Sequence, residues 1–180
     1  MTYRLSFLSK EVDNFKLEIE APSTATFLEL NDLIISSLKY SKGEMTSFFS
    51  CDDEWEPYQE ITLVEMDVSS ENDSYVMENT RLEEFLADEG DKMMFVFDIL
   101  NNRSFYLTLR EIKPGTIAKP KCTKLSGQIP VQIKMEEFLT GKKKDSKEFL
   151  DEDFYGSDEY SDDEIDSEGF SEVDMSEIDI

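Results

Sequence analysis

The sequence predicts an α+β domain, a β-grasp-like mixed sheet with one main helix packed across it, followed by an acidic C-terminal tail expected to be disordered. Three observations predict it. Two segments with period-two apolar spacing open the chain, a capping box introduces a run of apolar residues at helical spacing, and the charge balance changes abruptly near residue 144.

Tyr3–Ser9 and Phe15–Glu20 are the two opening strands. Tyr3, Leu5 and Phe7 alternate with Arg4 and Ser6, and Phe15, Leu17 and Ile19 alternate with Lys16 and Glu18. The polar stretch 10–14 between them completes a hairpin signature, and Pro22 is expected to end the second strand. Thr26-Phe27-Leu28-Glu29 then reads as a capping box, because the Thr hydroxyl and the Glu carboxylate can each accept from the other's amide. Phe27, Leu30, Leu33, Ile34 and Leu38 follow at helical spacing, so a helix to about Tyr40 is expected, stopped by Ser41, Lys42 and Gly43.

Thr46–Cys51 is a third strand, ending in the acidic turn Asp52-Asp53-Glu54 before Trp55 and Pro57. Glu60–Met66 suits a short strand or a helical turn, and 67–74 is polar loop. Thr80-Arg81-Leu82-Glu83 is a second capping box, opening a short helix through Ala87 with Gly90 left-handed beyond it. Met93–Phe97 is apolar on both faces, as a central strand would be, and Asn101-Asn102 is a turn. In Ser104–Glu111, Phe105, Leu107 and Leu109 alternate with polar residues, and Lys113-Pro114-Gly115 ends the run. Residues 116–134, with Pro120, Gly127 and Pro130, are expected to be extended and irregular, and Met135–Leu139 to form one helical turn.

One domain and an appendage follow from the charge: 1–140 as the globular domain and 141–180 as the tail. From Asp145 to Ile180 sixteen acids face Lys147 alone, a net of −15, which leaves −9 of the total −24 for residues 1–144. Too few large apolar groups accompany those charges to offset the entropy of ordering. Contact with phosphates requires a basic stripe, and Lys142–Lys144 is the only cluster, so no direct binding to nucleic acid is expected. No signal peptide and no apolar run of spanning length is visible, so a cytoplasmic protein without membrane contact is expected. Cys51 and Cys122 do not make a disulfide framework and are expected to be reduced, Cys51 as an inert strand residue.

Histidine is absent, which removes Ser-His-Asp and Cys-His nucleophile pairs and every His metal ligand. Neither phosphate-cradling glycine motif occurs, and no cofactor, metal site or catalytic residue is expected. Asp151, Asp153 and Gly156 stand at positions one, three and six of a calcium loop, but Tyr155 at five and Asp162 at twelve break the pattern. Phe154, Tyr155, Tyr160 and Phe170 punctuate the tail's acids, the composition of segments that stay soluble alone and fold onto a basic, apolar groove. Ser157, Ser161, Ser167 and Ser171 adjoin acids and could accept phosphate.

The blocks FLELNDLIISSLKY, SFFSCDDEW, RLEEFLADEGDKMMFVFD, and LREI followed by KPKC resemble, in order and spacing, the plasmid pRiA4b ORF-3-like family, an insertion-element passenger (TnpR-like) group. The resemblance covers about residues 1–130, and the acidic tail is similar to that of members from gut-type Bacteroidetes. It implies no established biochemical activity, and the "resolvase" label carried by some members has no visible recombinase chemistry behind it. Where many members read His-x-x-Glu-Phe, this chain has Met45–Phe49, and where they read DFGDNWEH it has Asp98–Phe105. A cysteine-rich element of the family is reduced to Cys122, Gly127 and Pro130. The expectation is a scaffold without the family's polar site: a non-enzymatic interaction module whose tail engages a basic partner protein. The competing expectation is a hydrolase-like enzyme taking Mg²⁺ or Mn²⁺ on Asp52, Asp53, Asp98 and Asn101.

Overall fold

The computed structural model describes residues 1–65 and 75–133. The chain divides into two units, 1–143 and 144–180. The second unit lies outside the described residues, as do the polar loop expected at 67–74, the helical turn at Met135–Leu139 and the disorder expected of the tail.

Among the described residues eight strands form one mixed sheet: β1 (Thr2–Ser9), β2 (Lys16–Pro22), β3 (Ser47–Cys51), β4 (Pro57–Thr62), β5 (Tyr75–Val76), β6 (Lys92–Asp98), β7 (Arg103–Lys113) and β8 (Lys121–Ser126). Their order is β5-β4-β3-β6-β7-β1-β2-β8. Every pairing is antiparallel except β4 with β5. Among the described residues one α-helix, α1 (Phe27–Leu38), completes the α+β architecture expected from the sequence.

The first capping box forms as the residue types require. The Glu29 amide donates to Thr26 Oγ1 at 3.2 Å, and the Thr26 amide donates to Glu29 Oε2 at 3.0 Å. The helix ends at Leu38, earlier than Gly43 suggested, because Lys39 itself turns left-handed at φ 58°. The Tyr40 amide then reaches back to the Ile35 carbonyl and the Lys39 amide to Ser36, which satisfies two end carbonyls. That reversal swings the Tyr40 ring to within 5.5 Å of Phe97.

Phe27, Leu30, Ile34, Ile35 and Leu38 of α1 are buried with the inward rows of the strands. Phe48 lies 5.1 Å from Phe27 and 4.8 Å from Phe95, while Phe105 stacks on Phe97 at 4.6 Å and on Phe15 at 4.8 Å. Full burial of each such ring stabilises by about 2–3 kcal/mol, so this aromatic file holds the helix to the sheet. Because side chains alternate across a strand, the same register turns Glu60, Phe49, Met94, Tyr106, Leu8 and Lys16 to the opposite face.

Two elements differ from the sequence expectation, and one left open takes a definite form. The second capping box does not form on Thr80: its hydroxyl donates to the Val76 carbonyl at 2.8 Å, and Glu83 accepts from the Ser23 hydroxyl at 2.9 Å. Capping shifts by one residue, the Arg81 amide donating to Glu84 Oε1 at 2.7 Å. The regular helix there is only a 3₁₀ turn over Leu82–Glu84. Of the undecided 60–66 segment, residues 60–62 end β4, which starts at Pro57, where a strand's first residue needs no ladder donor; 63–65 lie beyond the strand, and Met66 lies outside the described residues. Residues 121–126, expected to be irregular, form the edge strand β8, which is mostly exposed and therefore carries no alternating apolar signal.

Candidate functional site

The four residues of the possible metal site fall into two places. Asp52 and Asp53 follow β3, whose last residue Cys51 pairs with Lys92 at the start of β6. Asp98 and Asn101 stand at the other end of β6, a seven-residue strand whose ends are about 20 Å apart. They are not brought together.

At the first end, Cys51, Asp52, Asp53, Tyr58, Glu89, Gly90, Asp91 and Lys92 line an open hollow of about 440 Å³. Three of its four carboxylates are engaged by backbone amides. Asp52 Oδ1 accepts from the Glu54 and Glu56 amides, both at 2.9 Å, and holds the β3–β4 turn. Asp91 Oδ2 accepts from Ala87 at 2.7 Å and from Asp88 at 2.9 Å, and Glu89 Oε1 accepts from Ile112 at 2.8 Å. Lys92 Nζ donates to the Asp53 carbonyl at 2.7 Å and to its carboxylate at 3.2 Å. Burial pushes the Cys51 thiol up to about 11, so at neutral pH it is a thiol rather than a thiolate nucleophile.

At the second end Asp98 is buried and organises the β6–β7 turn. Its Oδ1 accepts from the Asn101 amide at 3.1 Å and its Oδ2 from Asn101 Nδ2 at 2.9 Å. Asn102 takes the left-handed conformation that the turn requires, φ 51°.

Sequence reasoning did not single out Arg103, which is the centre of this end. Its Nε and Nη2 grip Glu11 in a bidentate pair, closest contact 2.6 Å, and its Nη1 donates to the Val131 carbonyl at 2.7 Å. The guanidinium lies 5.0 Å from the Phe97 ring and 3.6 Å from Asp98. Glu11 raises the Arg103 pKa further above its ordinary value, so the cation is permanent. Tyr40 donates to the Pro130 carbonyl at 2.6 Å, and Gln132 Oε1 accepts from the Ser41 amide at 2.6 Å. Burial raises the Tyr40 phenol pKa, which keeps it a donor. The group therefore fastens the 130–132 segment to the domain. No single residue of it stands out in sequence, because Glu11 and Arg103 are 92 positions apart.

Among the described residues no cluster of three or more His, Cys, Asp or Glu is arranged to hold a metal ion. No helix there is long and apolar enough to cross a membrane. The partner-binding residues expected in the tail, Phe154, Tyr155, Tyr160 and Phe170, lie outside the described residues.

No curated protein matches the chain. Among solved structures it is similar to a protein of unknown function, MM3350 from Methanosarcina mazei Go1, at 16% identity and a TM-score of 0.53, over 69% of this chain and 68% of that one. That likeness shows the fold. The family model described as plasmid pRiA4b ORF-3-like protein matches residues 8–132, which span β1 to the segment held by Arg103. The chain belongs to the plasmid pRiA4b ORF-3-like family.

Proposed function

We propose that this chain is a non-enzymatic protein-interaction module of the cytoplasm, in which residues 141–180 engage a basic partner protein. The single observation that carries it is the segregation of charge. A net −15 is concentrated beyond residue 144 and punctuated by Phe154, Tyr155, Tyr160 and Phe170. Acids bring such a segment to a basic surface, and the rings supply the apolar area that fixes it there. The domain supports this role as a scaffold: two of the carboxylates named for a metal, Asp52 and Asp98, instead hold turns closed through backbone amides, and the third, Asp53, pairs with Lys92. The acidic tail is what supports reading the chain as a Bacteroidetes-type member of its family.

The test is affinity capture from host lysate with the full chain and with a quadruple variant, Phe154, Tyr155, Tyr160 and Phe170 each →Ser, which keeps every charge. A basic protein held by the native chain, lost from the variant and released by salt is the expected result. Equal capture by both would remove the aromatic residues from the mechanism.

A further inference from the structure

We propose that the open face of the sheet is where two copies of this chain meet, packed face to face about a two-fold axis that runs along the strands between β6 and β7.

The face away from α1 is not uniformly polar. One row of side chains crosses six strands in register: Glu60, Phe49, Met94, Tyr106, Leu8, Lys16. Its four central members are apolar or aromatic. Phe49, Met94 and Tyr106 are half-buried, and Leu8 is 41% exposed. The β3–β4 turn folds Trp55 back over this row, edge-on to Tyr106 at 4.8 Å. Lysines frame the rings, Lys10 Nζ lying 4.0 Å from the Tyr106 centroid and Lys92 Nζ 5.6 Å from that of Trp55. An apolar row rimmed by charge is the composition of a contact surface rather than of a solvated face.

What selects a second copy is the polarity of the row. Its β4 end is acidic: β4 carries Glu60, and the turn leading into that strand carries Asp52, Asp53, Glu54 and Glu56, of which Asp53 is paired by Lys92. Its other end is basic: the row ends at Lys16 on β2, and β8 beyond it carries Lys124 and Lys121 beside Glu18 and Glu20. These lysines exceed the local acids, Glu18 and Glu20, which they and neighbouring cations already pair. A face that runs from acid through apolar to base is complementary to itself when reversed.

An axis along the strands reverses it. In that arrangement residues at equal distance from the axis oppose each other, so Met94 meets the second copy's Tyr106, Phe49 its Leu8, and Glu60 its Lys16. An axis across the strands would instead set Glu60 against Glu60 and Lys16 against Lys16. Charge therefore chooses between the two ways of stacking the faces, and sheet twist sets the two strand directions at about 30°. The six strands make a face about 30 Å wide, the scale of a modest, concentration-dependent interface.

The test is sedimentation velocity of the full chain over a concentration series, at low and high salt. The expected result is a reversible step from one to two chains of 20.9 kDa, weakened by salt. Met94→Glu should weaken self-association by roughly tenfold or more, with circular dichroism checking that the fold persists. Glu60→Lys and Lys16→Glu should each weaken it, and the double exchange should recover it, a rescue that mere damage to the fold cannot produce. A chain that stays single at every concentration would overturn the proposal. So would a pair indifferent to these three positions, or one that the double exchange fails to restore.

Discussion

Gly127→Ala should be among the most damaging single-methyl additions in the domain. Gly127 follows β8 at φ +84°, and an added Cβ would lie 2.2 Å from the Asn14 carbonyl oxygen, 2.5 Å from its carbon and 2.7 Å from the Phe15 nitrogen. All three are backbone atoms, so no rotamer change relieves the clash. Nor can the turn retreat easily, since Asn14 is itself left-handed at φ 65° and Phe15 is buried against Phe105. The left-handed backbone costs an alanine about 1–2 kcal/mol, and overpacking adds about 1–3, so a loss of about 3 kcal/mol is expected. At a slope of about 2 kcal/mol/M, the urea midpoint falls by roughly 1.5 M. Gly115→Ala supplies the control: its φ is +88°, but nothing lies within 4 Å of the added carbon, so only the backbone cost of about 1–2 kcal/mol applies. Equal losses at the two positions would refute the close approach of β8 to the β1–β2 turn.

Arg103→Leu removes the bidentate grip on Glu11 and the donor to Val131. It should cost about 2–4 kcal/mol and speed amide exchange of residues 131–133, read by hydrogen–deuterium exchange. Lys16 and Arg4 hold the Glu18 carboxyl below its usual range, and Lys113 and Lys121 do the same for Glu20. A depressed folded pKa gives stability that is present above the unfolded value, about 4.3, and lost as pH falls through the folded one. Urea midpoints should therefore drop on acidification below about pH 4.5, and Glu18→Gln with Glu20→Gln should flatten that limb. Cys122 is exposed while Cys51 is buried with a raised pKa, so brief iodoacetamide treatment at pH 7 should add one label, at Cys122. Equal labelling of Cys51 would show that β3 opens.

Much of the fold was legible because burial on one side imposes a period. β1, β2 and β7 carry buried apolar residues at every second position, β6 is apolar on both faces, and α1 carries both a buried stripe and a capping box whose two bonds are local. Legibility failed where long-range partners outcompeted local ones. Thr80 and Glu83 had the composition of a capping box, but Val76 and Ser23 took their side chains. Strand β8 is defined only by the edge of β2, so its own composition, KCTKLS, carries no pattern. The candidate site behaved similarly. Asp52 and Asp98 were visible as carboxylates beside turns, whereas their roles as amide acceptors, and the convergence of Glu11, Tyr40 and Val131 on Arg103, depend on chain crossings that spacing does not encode.

The most direct measurement of the tail's role is competition. A synthetic peptide of residues 145–180 is added to the full-length protein bound to its captured basic partner, beside a peptide with Phe154, Tyr155, Tyr160 and Phe170 replaced by Ser. Displacement by the native peptide, with the serine peptide far weaker at equal charge, is the expected result. Failure of both peptides to displace the partner would contradict recognition through the tail and assign the contact to residues 1–144.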